Sequence, residues 1–294
     1  MNAPEEIWNL GKAREQARAA KDFARADQLR DEIESLGWEI IDVSGTFEIK
    51  KKRAYIDYES SRAIKPIECG EFAFAMIVSG FQEDALETIE SVRKFTSAPM
   101  VILCLGDIGP IEKACDANTT VIHLLTECGW AEAANALMSN VKVRFLILMD
   151  PSTRFTGDAF SLIRRELLNG EFAAVGWRGG LINLDDEWRS VDDKGAGEVD
   201  VLFSYFLAFD REAALAAGAF NQRATYYRNA DIEFSLRLRH SQGRLLQMDL
   251  PLEQGRHHGY HDTDEQTREV QSKKNYDRIL ERFRGKNAIL SPRR

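Results

Sequence analysis

The sequence predicts an α/β protein, a sheet covered by helices with a small helical hairpin ahead of it, and three observations predict this. From Glu71 onward, short apolar runs (FAFAMIV, MVILCL, TTVIHLL, VRFLILM) alternate with amphipathic segments of helical period. Residues 5–36 instead carry two successive helical stripes, Ile7, Leu10, Ala13, Ala17 and then Phe23, Ala26, Leu29, Ile33, Leu36. With 44% hydrophobic and 29% charged residues over 294 positions, the chain has enough apolar side chain for one large core or two modest ones, which excludes disorder and fibre.

Charge and apolar runs narrow the function classes. The formal charge is -8, from 39 Lys plus Arg against 47 Asp plus Glu, so bulk electrostatic attachment to nucleic acid is disfavoured. The apolar runs Phe72–Val78 and Phe145–Met149 fall far short of the roughly 20 residues that a membrane-spanning helix needs. The start, MNAPEEIWNL, carries acids where a secretory leader has bases, and no apolar segment follows it, which predicts a cytoplasmic protein. Cys69, Cys104, Cys115 and Cys128 show no CxxC spacing and read as buried free thiols.

Asp22 is placed to cap the second helix, and Gly37 follows Leu36 where a left-handed residue stops a helix. WEIIDVSGTFEIKKK alternates around Ser44-Gly45 as a β-hairpin would. Residues 1–53 thus read as one module. Residues 54–70 have weak periodicity and read as a linker or an extended wrap, and residues 71–290 form the α/β domain. In that domain helices are expected over 83–95, 110–117, 130–139, 156–168, 229–241 and 263–284, with further strands at FAAVGW, VDVLFSYFLAF and RLLQM.

Ligands of open α/β sheets sit beyond the carboxyl ends of strands, where loops converge beside helix N-termini. FLILMDPST puts Asp150 at such an end: a carboxylate there holds a metal or a sugar hydroxyl, or else caps the turn. In NADIEFSLRLRHSQG, Asp231 opens a helix and Glu233 pairs with Arg237 at i, i+4; on spacing alone Asp231 is a dipole-stabilising acid. RHHGYH groups His257, His258 and His261, either as metal ligands or as a solvated loop, in a spacing that matches no structural zinc pattern.

Together these segments resemble a family 2 glycosyltransferase of the GT-A fold, rhamnosyltransferase-like branch, over residues 72–262. IVSGFQEDALETIESV is similar to that family's first strand and helix. CGWAEAANALMSNVKVRFLILMDPSTRFTGDAFSLI is similar to its Gly-rich segment, asparagine, strand and acidic metal motif. VDVLFSYFLAFDREAALAAGAFNQRATYYRNADIEFSLRLRHSQGRLLQMD resembles its acceptor-side strand, turn and base-bearing helix. The resemblance implies a GT-A-like mixed sheet flanked by helices, a nucleotide-sugar donor, a divalent metal (Mn or Mg) on the diphosphate, and displacement with inversion onto a hydroxyl of a glycan or other acceptor. It makes Asp231 the general base, Asp150 and His257 or His258 the metal ligands, and Phe81, Glu83, Asp107, Asn135, Asp150 and Ser152 the donor-side residues. Departures accompany it. Ser152 stands where the family has a metal-binding acid, Ala230 where it has a glutamate, and Phe81 and Leu105 where it has an asparagine and an aspartate, with Asp107 two residues on. Either Arg154 or Arg256 substitutes for full metal coordination, or the domain binds a nucleotide sugar or glycan without turning it over.

The segment AREQARAAKDFARADQLRDEIESLGWEIIDVSGTFEIKKK resembles the C-terminal end of cysteinyl-tRNA synthetases. Aminoacylation is not implied, because nothing catalytic in that family lies in this region. Lys50–Arg53 could touch RNA phosphate, yet residues 1–60 hold 10 bases against 13 acids, a balance of -3, which favours a docking module over an RNA adaptor.

Overall fold

Asp22 and Gly37 bracket the second helix as their chemistry requires: the Asp22 carboxylate accepts from Arg25 N at 3.1 Å, and Gly37 has φ +80°. The computed structural model describes residues 3–255 and 263–293, in two units, Met1–Ala54 and Tyr55–Arg294. The first contains α1 (Glu5–Ala19), α2 (Phe23–Ser35) and the antiparallel pair β1 (Trp38–Val43) and β2 (Thr46–Lys51), closed at Ser44-Gly45. Its core is Ile7, Ile33, Ile40 and Phe47.

The buried stripe of α1 differs from the expected one. It runs Ile7, Gly11, Arg14, while Phe23 and Leu36 of the second predicted stripe are exposed. Gly11 is buried because the Phe47 ring lies 2.5 Å from where a Cβ would stand. Arg14 is buried because its guanidinium donates to both Asp42 oxygens, at 2.7 and 3.0 Å, and that hydrogen bonding holds the Asp42 carboxyl below the usual range.

The second unit runs β3 (Ile56–Tyr58), β4 (Ile67–Val78), α3 (Gln82–Arg93), β5 (Met100–Leu105), β6 (Thr119–Leu124), α4 (Trp130–Asn140), β7 (Val141–Met149), β8 (Thr153–Phe155) and α5 (Ala159–Asn169). There follow β9 (Ala174–Gly176), β10 (Gly179–Ile182), β11 (Val191–Asp192), β12 (Gly197–Val199), β13 (Val201–Leu202), β14 (Phe206–Asp210), α6 (Arg211–Ala216), α7 (Ala230–His240), β15 (Leu245–Gln247), β16 (Leu252–Gln254) and α8 (Glu265–Phe283). Nine strands form one mixed sheet in the order β12-β15-β9-β14-β7-β4-β5-β6-β3. β4 is parallel to β5 and β7, and β14 is antiparallel to both β7 and β9.

β4 shows why its sequence is almost continuously apolar. Ala73, Ala75 and Ile77 join the core on the face covered by α4 and α7; Phe72, Phe74, Met76 and Val78 join the core on the face covered by α3 and α5. A strand buried on both faces needs no polar alternation. A third cluster packs Ile232 and Leu236 of α7 against Ile279 and Phe283 of α8 and against Trp188.

Three segments differ from expectation. Of residues 54–70, read as linker or wrap, all but Ala54 belong to the second unit: Ile56–Tyr58 pairs in parallel with β6 at the sheet edge, and Ile67 already pairs with Val141. Edge pairing needs only backbone groups, so it leaves little periodicity in the side chains. The expected helix over 110–117 is 3₁₀ turns over Gly109–Ala114, opened by Gly109-Pro110. The run VDVLFSYFLAF holds the end of β12, then β13 and β14, broken at Asp200 and again at Phe203–Tyr205. Among the cysteines, Cys104 is buried, which pushes its thiol up to about 12, while the other three are half-buried and all four are free.

Candidate functional site

The sheet order places the site. From β4 the chain winds outward through β5 and β6, then returns to the other side of β4 as β7, so the strand order reverses between β4 and β7. Beyond the carboxyl ends of those strands lies a cavity of about 380 Å³, walled by Ser79, Gly80 and Phe81 after β4, Leu105 at the end of β5, and Asp150 and Pro151 after β7. Trp130 at the start of α4 and Thr225–Tyr227 close it.

A second cavity of about 440 Å³ adjoins it, lined by Phe203, Ser204 and Tyr205, by Tyr227, Arg228 and Asp231, and by Arg189. Asp150, Ser204 and Tyr227 line both, so the two spaces are one cleft with Asp150 at the junction. The break in the predicted 199–209 strand is what builds the second half. With Phe203–Tyr205 released from the ladder, Ser204 turns its backbone N–H and its hydroxyl onto Asp231 Oδ2, at 2.9 and 3.1 Å. Asp231 Oδ1 accepts from Ile232 N at 2.9 Å. Asp231 is 7% exposed, and burial pushes its pKa up against the opposing pull of these hydrogen bonds. Burial also raises the neighbouring Tyr205 hydroxyl, and the charges of Asp231 and Asp150 add to that shift.

Asp150 is held from below. Its Oδ1 accepts from Ser152 N at 2.8 Å and from the Ser152 hydroxyl, and Gln254 Nε2 donates to Ser152 Oγ at 2.6 Å. Ser152 itself is 1% exposed. Ser152, expected on the donor side, is therefore a clamp on Asp150, buried and absent from the cleft walls.

The other expected residues divide. Phe81 lines the cleft, in a left-handed backbone conformation with φ +54°. Glu83 is exposed in the first turn of α3 and Asp107 is exposed in the turn after β5, where its Oδ1 caps Gly109 N at 3.1 Å; neither lines the cleft. Asn135 is absent from the cleft walls as well: its amide clasps the Phe220 backbone, donating to the carbonyl at 2.9 Å and accepting from the N–H at 3.0 Å. Arg154 is ion-paired with Glu87, away from the cleft. Arg256, His257, His258 and His261 lie outside the described residues.

Sequence reasoning missed Ser79, Trp130, Ser204, Tyr205 and Tyr227. The one signal for Ser204 and Tyr205 was a polar pair inside an apolar run, which alternation alone reads as a strand.

For a divalent cation the cleft offers the Asp150 carboxylate, whose Oδ1 already accepts from Ser152; Ser152 is committed to Asp150, and Asp231 to Ser204 and Ile232. Among the described residues no group of three or more His, Cys, Asp or Glu side chains is assembled for a metal, so the described donor set does not fit such an ion and no step is derived through one.

Neither a protein-family profile nor a curated protein sequence matches the chain. Among solved structures it is similar to the mannosyltransferase PcManGT from Pyrobaculum calidifontis in complex with GDP-Man and Mn²⁺, with TM-score 0.54 and 14% identity over 74% of this chain and 65% of that one. It is also similar to GalNAc-T7 with UDP, GalNAc and Mn²⁺, with TM-score 0.56 and 13% identity over 72% of this chain and 48% of that one. The chain thus spans just under two thirds of the first structure's length and about half of the second's. At such identities the likeness speaks for architecture: the second unit has the GT-A-like fold, a mixed sheet flanked by helices.

Proposed function

We propose that the second unit transfers a sugar from a nucleotide-diphosphate donor to an acceptor hydroxyl, with inversion at the anomeric carbon and Asp231 as general base. The observation that carries this reading is the single cleft in which Asp150, at the exit of a buried strand, and Asp231, opening a distant helix, both form the wall. The donor occupies the half bounded by the loops after β4, β5 and β7, and the acceptor occupies the half that contains Asp231. The acceptor O–H proton passes to the Asp231 carboxylate as that oxygen forms its bond to the anomeric carbon, while the bond from that carbon to the phosphate oxygen breaks and the nucleoside diphosphate leaves with the electron pair. Ser204 fixes the carboxylate's orientation through two hydrogen bonds, and burial makes it a stronger base than a solvated aspartate.

The test is a thermal-shift and calorimetric titration with UDP, GDP and their sugar conjugates, with and without Mn²⁺ or Mg²⁺. Binding at a hundredfold excess over Kd stabilises by about 2.7 kcal/mol. Asp231→Asn is expected to lower transfer by about 10²–10⁴ while leaving donor affinity nearly unchanged. Failure of every nucleoside diphosphate to bind, or full transfer by Asp231→Asn, removes this reading.

A further inference from the structure

We propose that the acceptor carries an anionic group, a phosphate or a carboxylate, which Arg189 and Arg228 hold while a hydroxyl of the same molecule meets Asp231. The proposal rests on the transferase reading above and names the acceptor's chemical class.

Positive charge is placed unevenly along the cleft. Among the described residues, the half assigned to the donor has no Lys or Arg in its walls, whereas the half containing Asp231 has two guanidiniums, Arg189 and Arg228. Arg189 is exposed; its backbone N–H donates to Asp186 Oδ1 at 2.8 Å and its charge acts on that carboxylate, but among the described residues its guanidinium makes no hydrogen bond or close ion pair. A guanidinium presents a planar fork of donors that matches phosphate and carboxylate oxygens and has no comparable advantage on a neutral sugar.

Both cations ride on backbone that is fixed in advance. Arg189 follows Glu187 and Trp188, two successive non-glycine residues at φ +62° and +72°. Such conformations persist only where the surroundings over-determine them, and they cluster at ligand sites. Here Trp188 is 3% exposed, its N–H donates to Asn183 O at 2.9 Å, its indole donates to Asn287 at 3.3 Å, and the Tyr276 hydroxyl donates to its carbonyl at 2.8 Å. Arg228 precedes Asn229, at φ +68°, and its carbonyl accepts from Asn275 Nδ2 at 2.7 Å. Two separate loops are thus pinned by α8 and its flank so that their arginines meet in one cavity. Tyr205, Tyr227 and Tyr276 line the same cavity, flat amphipathic surfaces suited to a sugar ring.

The experiment measures binding of glucose 6-phosphate, glucose and inorganic phosphate to the full chain by calorimetry, with UDP and GDP titrated in parallel. Glucose 6-phosphate is expected to bind at least tenfold more tightly than glucose or inorganic phosphate. Arg189→Lys should keep most of that affinity, Arg189→Gln should lose about tenfold, and Arg189→Glu should abolish it, with melting temperatures unchanged because Arg189 is exposed. UDP and GDP affinities should stay within about twofold across the series. The proposal is overturned if glucose binds as well as its phosphate, if inorganic phosphate alone binds as well, or if the series weakens nucleoside diphosphate instead, which would assign the arginines to the donor. Loss of UDP and GDP binding by the unaltered protein strikes the transferase reading alone, since the sugar-phosphate series reads the arginine pair directly.

Discussion

Asp231 shows how one side chain's setting decides its chemistry. On the sequence it is an ordinary acid at a helix start, and such acids are commonly stabilised in the charged form by the helix dipole. In the structure burial wins and its pKa is raised. The sign of the pH effect follows. A base works ionised, so activity is lost as pH falls through the raised value, and the loss begins above the usual aspartate range near about 3.9. A profile of kcat/KM against pH should therefore show an acid limb displaced upward, and a limb at the ordinary carboxylate position would count against Asp231 as the base. Asn135 makes the opposite case. Its two bonds to the Phe220 backbone join α4 to the segment before α7. Asn135→Ala is expected to destabilise by about 1–3 kcal/mol in denaturant titration, from unsatisfied backbone groups, with nucleotide affinity little changed. A selective loss of nucleotide binding would instead return Asn135 to the donor side.

At the scale of elements, α7 carries Asp231 into place, and Glu233 anchors α7. Its carboxylate is 2% exposed, accepts from Arg237 at 2.8 Å and from Asn221 at 3.0 Å, and has Arg282 at 3.7 Å and Arg278 at 4.0 Å. The i, i+4 pair with Arg237 was legible in the sequence; the reach to α8 was not, because 45 and 49 residues separate Arg278 and Arg282 from Glu233 along the chain. Glu233→Ala leaves those cations without their buried partner and should cost about 3–5 kcal/mol, measured as a fall in melting temperature. The apolar runs identified β4, β5, β6 and β7 because burial on both faces requires them to be apolar. β3 and the β13–β14 break were hidden for a shared reason: their places depend on which backbone groups find partners in the sheet, and side-chain periodicity does not encode that.

For the molecule as a whole, the first unit has a hydrophobic core of its own, which predicts a separate cooperative transition for it in calorimetry. Ile33 is completely buried in the first core. Ile33→Ala should lower the first unit's transition by about 2–5 kcal/mol and leave that of the second unit in place. A single transition that moves as one would show the units to be energetically coupled. The sequence by itself determined the helical hairpin with its capping residues, the four central strands, and the two acids worth watching, because those features follow from local sterics and from the burial of apolar side chains. Only the tertiary structure decided that the two acids share a cleft, that Ser152 serves Asp150 from beneath, and that two arginines line the same cavity as Asp231. Each of those depends on distances between residues far apart in the chain, and the packing of the sheet and its helices sets such distances.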